Sequence, residues 1–175
     1  MTETQLIEKS KKGDSYAFSR IYEKYAPQML GICKRYVNDP DTAHDLLHDG
    51  FITVFSKIRD FRGDGSFEGW LRRIFVTTAL GYLRKNKTIF MTAGIDDMRN
   101  LSGNDPSALE KISADELLKI ISGLPDGYRT VLNMYAIEGF SHREISEMLN
   151  ISEGTSRSQY ARAKSYLIKK IEENR

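Results

Sequence analysis

The sequence predicts an all-α fold: two small helical domains joined by a linker, the C-terminal one a helix-turn-helix. Three observations predict it. Apolar residues recur at three- and four-residue steps in both halves, and no stretch shows the strict alternation of a half-buried strand. Helix-capping pairs stand before several of these runs, with Ser113 and Glu116, then Ser141 and Glu144, spaced as capping boxes. Between the halves, residues 88–111 (TIFMTAGIDDMRNLSGNDPSALEK) lose the periodicity and carry Gly94, Gly103 and Pro106. So long a connection is unusual inside one compact domain. It sets the expected domains at 1–87 and 112–175, with 88–111 as linker.

Bulk composition narrows the class. Of the 175 residues 40% are hydrophobic and 29% charged, the balance of a soluble globular chain rather than a disordered one. No apolar run is long enough to cross a bilayer, and the opening MTETQLIEKSKKGD lacks the layout of a signal peptide, so a cytoplasmic protein without membrane insertion is expected. The single cysteine, Cys33, has no partner for an internal disulfide and sits among Leu30, Ile32 and Val37, which reads as packing. The net charge of +2 does not announce a nucleic-acid binder. Its distribution is uneven: residues 1–87 hold 15 Lys+Arg against 11 Asp+Glu, residues 88–111 hold 2 against 4, and residues 112–175 hold 9 of each. Local clustering therefore has to point to any nucleic-acid surface.

In chain order, residues 3–11 read as a short helix with Leu6 and Ile7 inward, ended by Gly13-Asp14. Phe18, Ile21, Tyr22 and Tyr25 mark the buried face of a second helix. Pro27 suits the first turn of a third, with Leu30, Cys33 and Val37 inward. After the turn Asn38-Asp39-Pro40-Asp41, a long helix from about Thr42 to Ile58 carries the stripe Leu46, Leu47, Phe51, Val54, Phe55 and Ile58. Asp45 and Asp49 lie one turn apart on another side of it, readable as a solvated face with dipole support or as a docking face. His44 and His48 have a spacing that can hold a metal, but no third ligand is evident, so exposed or half-buried histidines and no metal are expected.

Residues 59–66 (RDFRGDGS) read as a loop, and Ser66 caps a helix with Phe67, Trp70, Leu71, Ile74, Phe75 and Ala79 inward. Arg59, Arg62, Arg72, Arg73, Arg84, Lys85 and Lys87 make this segment basic and interleaved with aromatics. Phe67 and Trp70 can be core beneath a solvated basic face. Alternatively the segment is a surface for unpaired DNA, where bases stack on aromatics and cations follow the backbone.

In the second half Leu117, Leu118, Ile120 and Ile121 pack one helix, and Gly123-Leu124-Pro125 breaks it. A helix from about Asp126 carries Val131, Leu132, Tyr135 and Ile137 to Gly139. Ser141 then starts a short helix with Ile145, Met148 and Leu149 buried, and Asn150-Ile151-Ser152 is the break, Asn being tolerant of the left-handed backbone. Ser152 caps a last helix bearing Arg157, Ser158, Gln159, Arg162 and Lys164, side chains of the kind that read base edges and hold phosphates. Two helices so joined fit a helix-turn-helix with the second as reader, or a plain helical hairpin.

Four segments in this order resemble the two-domain RNA polymerase sigma factors of the extracytoplasmic-function (ECF) group of the sigma-70 family. They are AFSRIYEKYAPQML, DTAHDLLHDGFITVFSKI, FRGDGSFEGWLRRIFVTTALGYLRK and LPDGYRTVLNMYAIEGFSHREISEMLNISEGTSRSQYARAKSYL. The resemblance implies docking on the core polymerase clamp through Asp45, Leu46, Asp49 and Phe51. It implies capture of a flipped −10 base by the loop Phe61–Phe67, with Phe61, Arg62, Phe67, Trp70, Arg73 and Thr77 on the −10 DNA. It implies −35 reading by Arg157, Ser158 and Arg162, with Gln159 and Lys164 on the same helix. The linker would thread toward the polymerase cleft, and an anti-sigma factor would be a further partner beside core polymerase and promoter DNA. Thr77 stands where an Asn is common, Gly81 where a larger polar residue is, and Gln159 where an Arg is, so the promoter bases do not carry over. Gln would favour adenine where Arg favours guanine.

No Walker loop, Ser/His/Asp set or cysteine–histidine cluster suggests catalysis or a cofactor. The rival classes are a stand-alone regulator using only the helix-turn-helix, which predicts a dimer on paired half-sites, and a helical protein-interaction module.

Overall fold

Helix starts in the computed structural model are set by side chains that satisfy otherwise orphaned backbone N–H groups, each such cap being worth about 1 kcal/mol. Thr2 and Gln5 form a capping box at 2.9 and 3.3 Å and open α1 (Glu3–Lys11). Asp14 accepts from Ala17 N at 3.1 Å to open α2 (Ser15–Tyr36), and Asp39 from Thr42 N at 2.9 Å to open α3 (Pro40–Lys57). A 3-10 turn, Ile58–Asp60, follows, and Ser66 accepts from Gly69 N at 3.0 Å ahead of α4 (Phe67–Lys85). The expected boxes at Ser113/Glu116 and Ser141/Glu144 are both present, before α5 (Ala114–Ser122) and α7 (His142–Leu149). Ser152 caps α8 (Glu153–Glu173). The structure describes residues 1–86 and 112–174. The expected linker 88–111 and the cation Lys87 lie outside them. Among the described residues there is no strand. The chain divides into two compact units, Met1–Tyr82 and Leu83–Arg175.

One expectation is corrected in the first unit. Pro27 does not begin a helix: it lies inside the unbroken α2. Proline forfeits one ladder hydrogen bond and costs about 3 kcal/mol or more in a helix interior. The stripe Ile21, Tyr25, Met29, Ile32, Cys33 and Tyr36 is buried on both sides of it, and burying even two such side chains at about 1.5–3 kcal/mol each offsets that cost. Against α2, α3 buries Leu46, Leu47, Phe51 and Val54. Rings bridge the helices: Phe18 to Phe55 at 4.4 Å, Tyr22 to Phe51 at 4.7 Å and Phe51 edge-on to Phe75 at 5.1 Å. Gly50 lets α4 approach α3, because a Cβ there would lie 2.1 Å from Phe75 Cε1. Both ends of α1 are tied down. Glu3 accepts from Lys24 at 2.6 Å and from the Tyr25 hydroxyl, and Arg59 Nε donates to the Lys11 carbonyl at 3.0 Å.

The second unit packs Ile121 and Leu124, then Tyr128 and Leu132 of α6 (Asp126–Leu132), against Ala163, Leu167 and Ile171 of α8. Arg129 is buried and fastens the α5–α6 turn, pairing with Asp126 and donating to the carbonyls of Ser122 and Leu124 at 3.2 and 3.0 Å. The helix expected to run on to Gly139 instead widens into a π turn, Asn133–Ile137, with Glu138 N donating five residues back to Asn133 O at 2.9 Å. Gly139 (φ +80) then turns the chain toward α7. Asn150 ends α7 in the left-handed region at φ 55, ψ 49, as expected. His142 locks α7 to α8: its ring stacks on Tyr135 at 4.2 Å, and its Nδ1 lies 2.8 Å from the buried Ser156 Oγ.

Two expected outcomes follow from this packing. Gly50→Ala gains up to about 1 kcal/mol of helix propensity, but Phe75 is fully buried and cannot swing aside. Overpacking of about 1–3 kcal/mol or more outweighs the gain, so thermal unfolding should show a net loss of about 1–2 kcal/mol. Burial, and then the Arg157 guanidinium, press the His142 imidazole below its usual pKa, with Glu153 pulling the other way. The unfolded chain then binds a proton that the folded chain resists as pH falls through about 6.5, so this group adds stability above that pH and withdraws it below. Melts followed by circular dichroism between about pH 7 and 5.5 should show the loss, and His142→Gln should flatten it.

Candidate nucleic-acid and polymerase interface

The outer stripe of α3 carries Asp45, Asp49 and Ile52 at four- and three-residue steps. All three are exposed, Ile52 at 68%. Leu46 and Phe51, expected beside the aspartates at the docking site, are each only 3% exposed and belong to the core beneath it. They set the pitch of α3 rather than its contact face. Ile52 was not anticipated. Its signal was present, as an isoleucine one turn from Asp49 and off the apolar stripe. His44 and His48 are exposed on the same helix.

The loop 61–66 and the start of α4 are held by an aromatic cluster. Phe61 lies 5.2 Å from Phe67 and 5.4 Å from Trp70, and Phe67 stacks on Trp70 at 5.6 Å and 24°. Phe67 is 2% exposed and also meets Tyr25 edge-on at 5.7 Å, so it is the floor of the cluster. Phe61 and Trp70 are half-buried, each with an edge to solvent. Arg62 is exposed, and Arg73 and Thr77 are exposed one turn apart on α4. The Thr77 hydroxyl donates to the Arg73 carbonyl at 2.8 Å. Glu68 accepts from Arg72 at 2.9 Å and Gln28 at 2.7 Å, and these two bonds, Arg72 first, hold its carboxyl below the usual range. A cleft of about 370 Å³ opens between the loop and α1.

On α8 the buried side chains are Ser156, Ala163, Leu167, Ile168 and Ile171. Arg157, Ser158 and Lys164 are exposed and Arg162 is half-buried. Arg157 pairs with Glu153 at 3.1 Å, both largely in solvent; such a pair is worth about 1 kcal/mol at most and yields readily to a phosphate or base. Lys164 Nζ lies 5.6 Å over the Tyr160 ring. Gln159 is half-buried, and its Oε1 is covered without a hydrogen-bond partner among the described residues. Its helical position borders the buried face, which the donor-rich composition of the segment concealed. The stack of Tyr135, His142 and Tyr160 behind the reader was also missed, because it needs the π turn to bring Tyr135 into place.

Cys33 is fully buried and its thiol is pushed up to about 12, mainly by desolvation, which fits packing and not nucleophilic chemistry. No helix among the described residues is long and apolar enough to cross a membrane.

Comparison with known proteins gives a consistent picture. Residues 21–89 match Sigma-70 region 2 and residues 114–167 match Sigma-70, region 4, leaving α1 outside both segments. The chain is 31% identical to the ECF RNA polymerase sigma-E factor of Haemophilus influenzae over 98% of its own length and 96% of the relative's. It is 29% identical to the RNA polymerase sigma-H factor of Pseudomonas aeruginosa over 96% and 93%. The fold is similar to two solved structures. One is of CnrH in complex with the cytosolic domain of CnrY (TM-score 0.56, 19% identity, 97% of each chain). The other is of the sigma factor RpoE of Bartonella quintana in complex with the anti-sigma factor NepR (TM-score 0.57, 18% identity, 90% of this chain and 98% of that one). With both regions in one all-α chain and a curated relative matched end to end, this protein belongs to the ECF sigma factors of the sigma-70 family, which direct RNA polymerase to specific promoters and initiate transcription there.

Proposed function

We propose that the chain divides this work among three surfaces and catalyses no reaction itself. Residues 1–87 bind core polymerase and open the −10 element, residues 112–175 read the −35 element, and residues 88–111 connect them. Asp45, Asp49 and Ile52 form the polymerase-docking stripe, with Leu46 and Phe51 supporting it from below. Phe61, Arg62, Trp70, Arg73 and Thr77 face unpaired −10 DNA over the floor made by Phe67. Arg157, Ser158, Arg162 and Lys164 meet the −35 major groove and its phosphates. The protein works in the cytoplasm with the polymerase, and an anti-sigma factor binds it, as NepR binds RpoE in a solved complex.

The observation that carries the assignment is the sorting of side chains by exposure. Polar and cationic groups stand outward on α3, α4 and α8, while the opposite face of each helix is committed to a core. Binding energy is the only source of melting in this scheme. Unstacking a base costs a few kcal/mol, and stacking it on an aromatic returns about 1–3 kcal/mol. Reconstitution with bacterial core polymerase, followed by run-off transcription on genomic fragments, tests the whole reading. Discrete starts sharing two upstream elements are expected. Duplex binding without core, by a dimer, would replace it with a stand-alone regulator.

Two substitutions separate contact from support. Ile52→Asp should weaken core binding by about 1.5–3 kcal/mol while leaving the melting temperature unchanged. Leu46→Ala should instead destabilise the fold by about 2–5 kcal/mol. At the other end, Arg157→Ala should cost about 1–3 kcal/mol at one −35 base pair. Gln159→Ala should leave the −35 base preference unaltered, as scored by transcription from a promoter library.

A further inference from the structure

Three elements of the second unit meet at His142. It is the first residue of α7, its ring stacks on Tyr135 of the π turn at 4.2 Å and 11°, and it meets the Tyr160 ring of α8 at 5.9 Å. Its Nδ1 lies 2.8 Å from Ser156 Oγ in the first turn of α8. Ser156 is fully buried, and its hydroxyl makes no other hydrogen bond among the described residues. A buried hydroxyl needs an acceptor for its proton. The Ser156 hydroxyl therefore donates and Nδ1 accepts, which puts the proton of the neutral imidazole on Nε2. Ser156 directly precedes Arg157 and Ser158, both exposed. A bond that fixes Ser156 fixes the turn of helix from which those two side chains reach outward.

A proton on Nδ1 undoes this bond. An imidazolium has no acceptor, so the two groups meet donor to donor until the hydroxyl gives up the one bond it makes. The surroundings do not make up the loss. Burial opposes a cation at His142 most strongly and the Arg157 guanidinium of α8 opposes it next, while Glu153 of α8 favours it. The first turns of α7 and α8 add the positive ends of two helix dipoles. On α7 itself Glu144 accepts from the Ser141 backbone N–H at 2.9 Å and Arg143 pairs with Glu147 at 3.5 Å, so both have partners of their own. Tyr135 and Tyr160 face the ring as aromatic surfaces. We infer that His142 is a positioning residue for the reader helix and makes −35 recognition proton-linked: the neutral ring holds the Ser156 hydroxyl, and with it the Arg157 turn of α8, and the protonated ring releases it. This rests on the reading of α8 as the −35 reader and adds to it the group that controls how the reader is presented. Histidine suits the part, because its charge changes between about pH 5 and 8.

The test uses the holoenzyme of the full chain with core polymerase on two promoters that differ only in the −35 element, intact or scrambled, between about pH 7.5 and 5.5. The ratio of their run-off rates cancels the pH response of the polymerase and of −10 opening. For the unsubstituted chain that ratio should fall about tenfold on acidification, within the usual range for coupling between two sites. His142→Asn offers Ser156 an acceptor oxygen near the Nδ1 position and takes up no proton, so its ratio should stay high throughout. His142→Phe keeps a ring and loses the acceptor, so its ratio should be low throughout. Coupling is reciprocal, so a −35 duplex should lower the His142 pKa in the unsubstituted full chain by about one pH unit, read by NMR where circular dichroism shows the chain folded over the whole range. A ratio that does not change with pH, an equal fall in His142→Asn, or a His142 pKa raised by the duplex, as a phosphate contact would give, overturns the inference. A ratio near one at every pH places the failure one step earlier, in the reading of α8 as the −35 reader.

Discussion

The first unit depends on the absence of a side chain at Gly50. The Phe75 ring occupies the space a Cβ would need, and through it α4 lies close enough to α3 for Phe51 and Phe75 to meet edge-on. That contact joins the ring chain running from Phe18 through Phe55 and Phe51, so α2, α3 and α4 share one core. Because interiors are close-packed, a shift of one helix against another is not absorbed locally. The outward stripe of α3 and the outward turns of α4 therefore keep a fixed relation to each other. On the proposed assignment, with α3 touching polymerase and α4 an open DNA strand, the protein needs that relation more than it needs any single contact.

The second unit solves its positioning problem with polar groups instead. Its helices other than α8 are short, and three of its turns are set by caps, by the left-handed Asn150 and by the buried Arg129. Arg129 is almost wholly buried, a position at which an unpaired charge would be prohibitive. Its bonds to two carbonyls and to Asp126 make it tolerable and at the same time define the α5–α6 corner. The His142 contact to Ser156 plays the same part nearer the reader, tying the first turn of α7 to the first turn of α8. The angle between these helices is thus specified by directional bonds, where a small apolar core would leave it loose.

These differences explain what was legible in the sequence. Caps are local: Ser113, Ser141, Ser152 and Asn150 could be read from spacing alone, because their partners lie within four residues. The apolar stripe of α3 was legible for the same reason. Pro27 was not. The local rule puts proline at a helix start, and only the continuous burial from Ile21 to Tyr36 shows why α2 runs through it. The π turn was likewise hidden, since one extra residue per turn leaves no compositional mark, yet it brings Tyr135 over His142. At the sites, residue type was a poor guide to exposure. Leu46, Phe51, Phe67 and Gln159 sit among functional neighbours in sequence but face inward, wholly or in part, while Ile52 sits among core neighbours and faces out.

On the proposed assignment of the 61–66 loop and α4 to unpaired −10 DNA, the inward position of Phe67 constrains how the strand can be held. A ring that is 2% exposed and stacked on Trp70 has no free face to offer a base. Exposing it would uncover the floor of the aromatic cluster and loosen the Tyr25 contact that helps seat α1. The ring with both a solvent edge and a place at the cleft is Phe61. Stacking on Phe61 asks nothing of the core, so the strand can be gripped and released without disturbing the packing that holds α3 and α4 in register. On that assignment, capture at the rim over a floor that stays closed is how a small helical unit does work on DNA with binding energy alone.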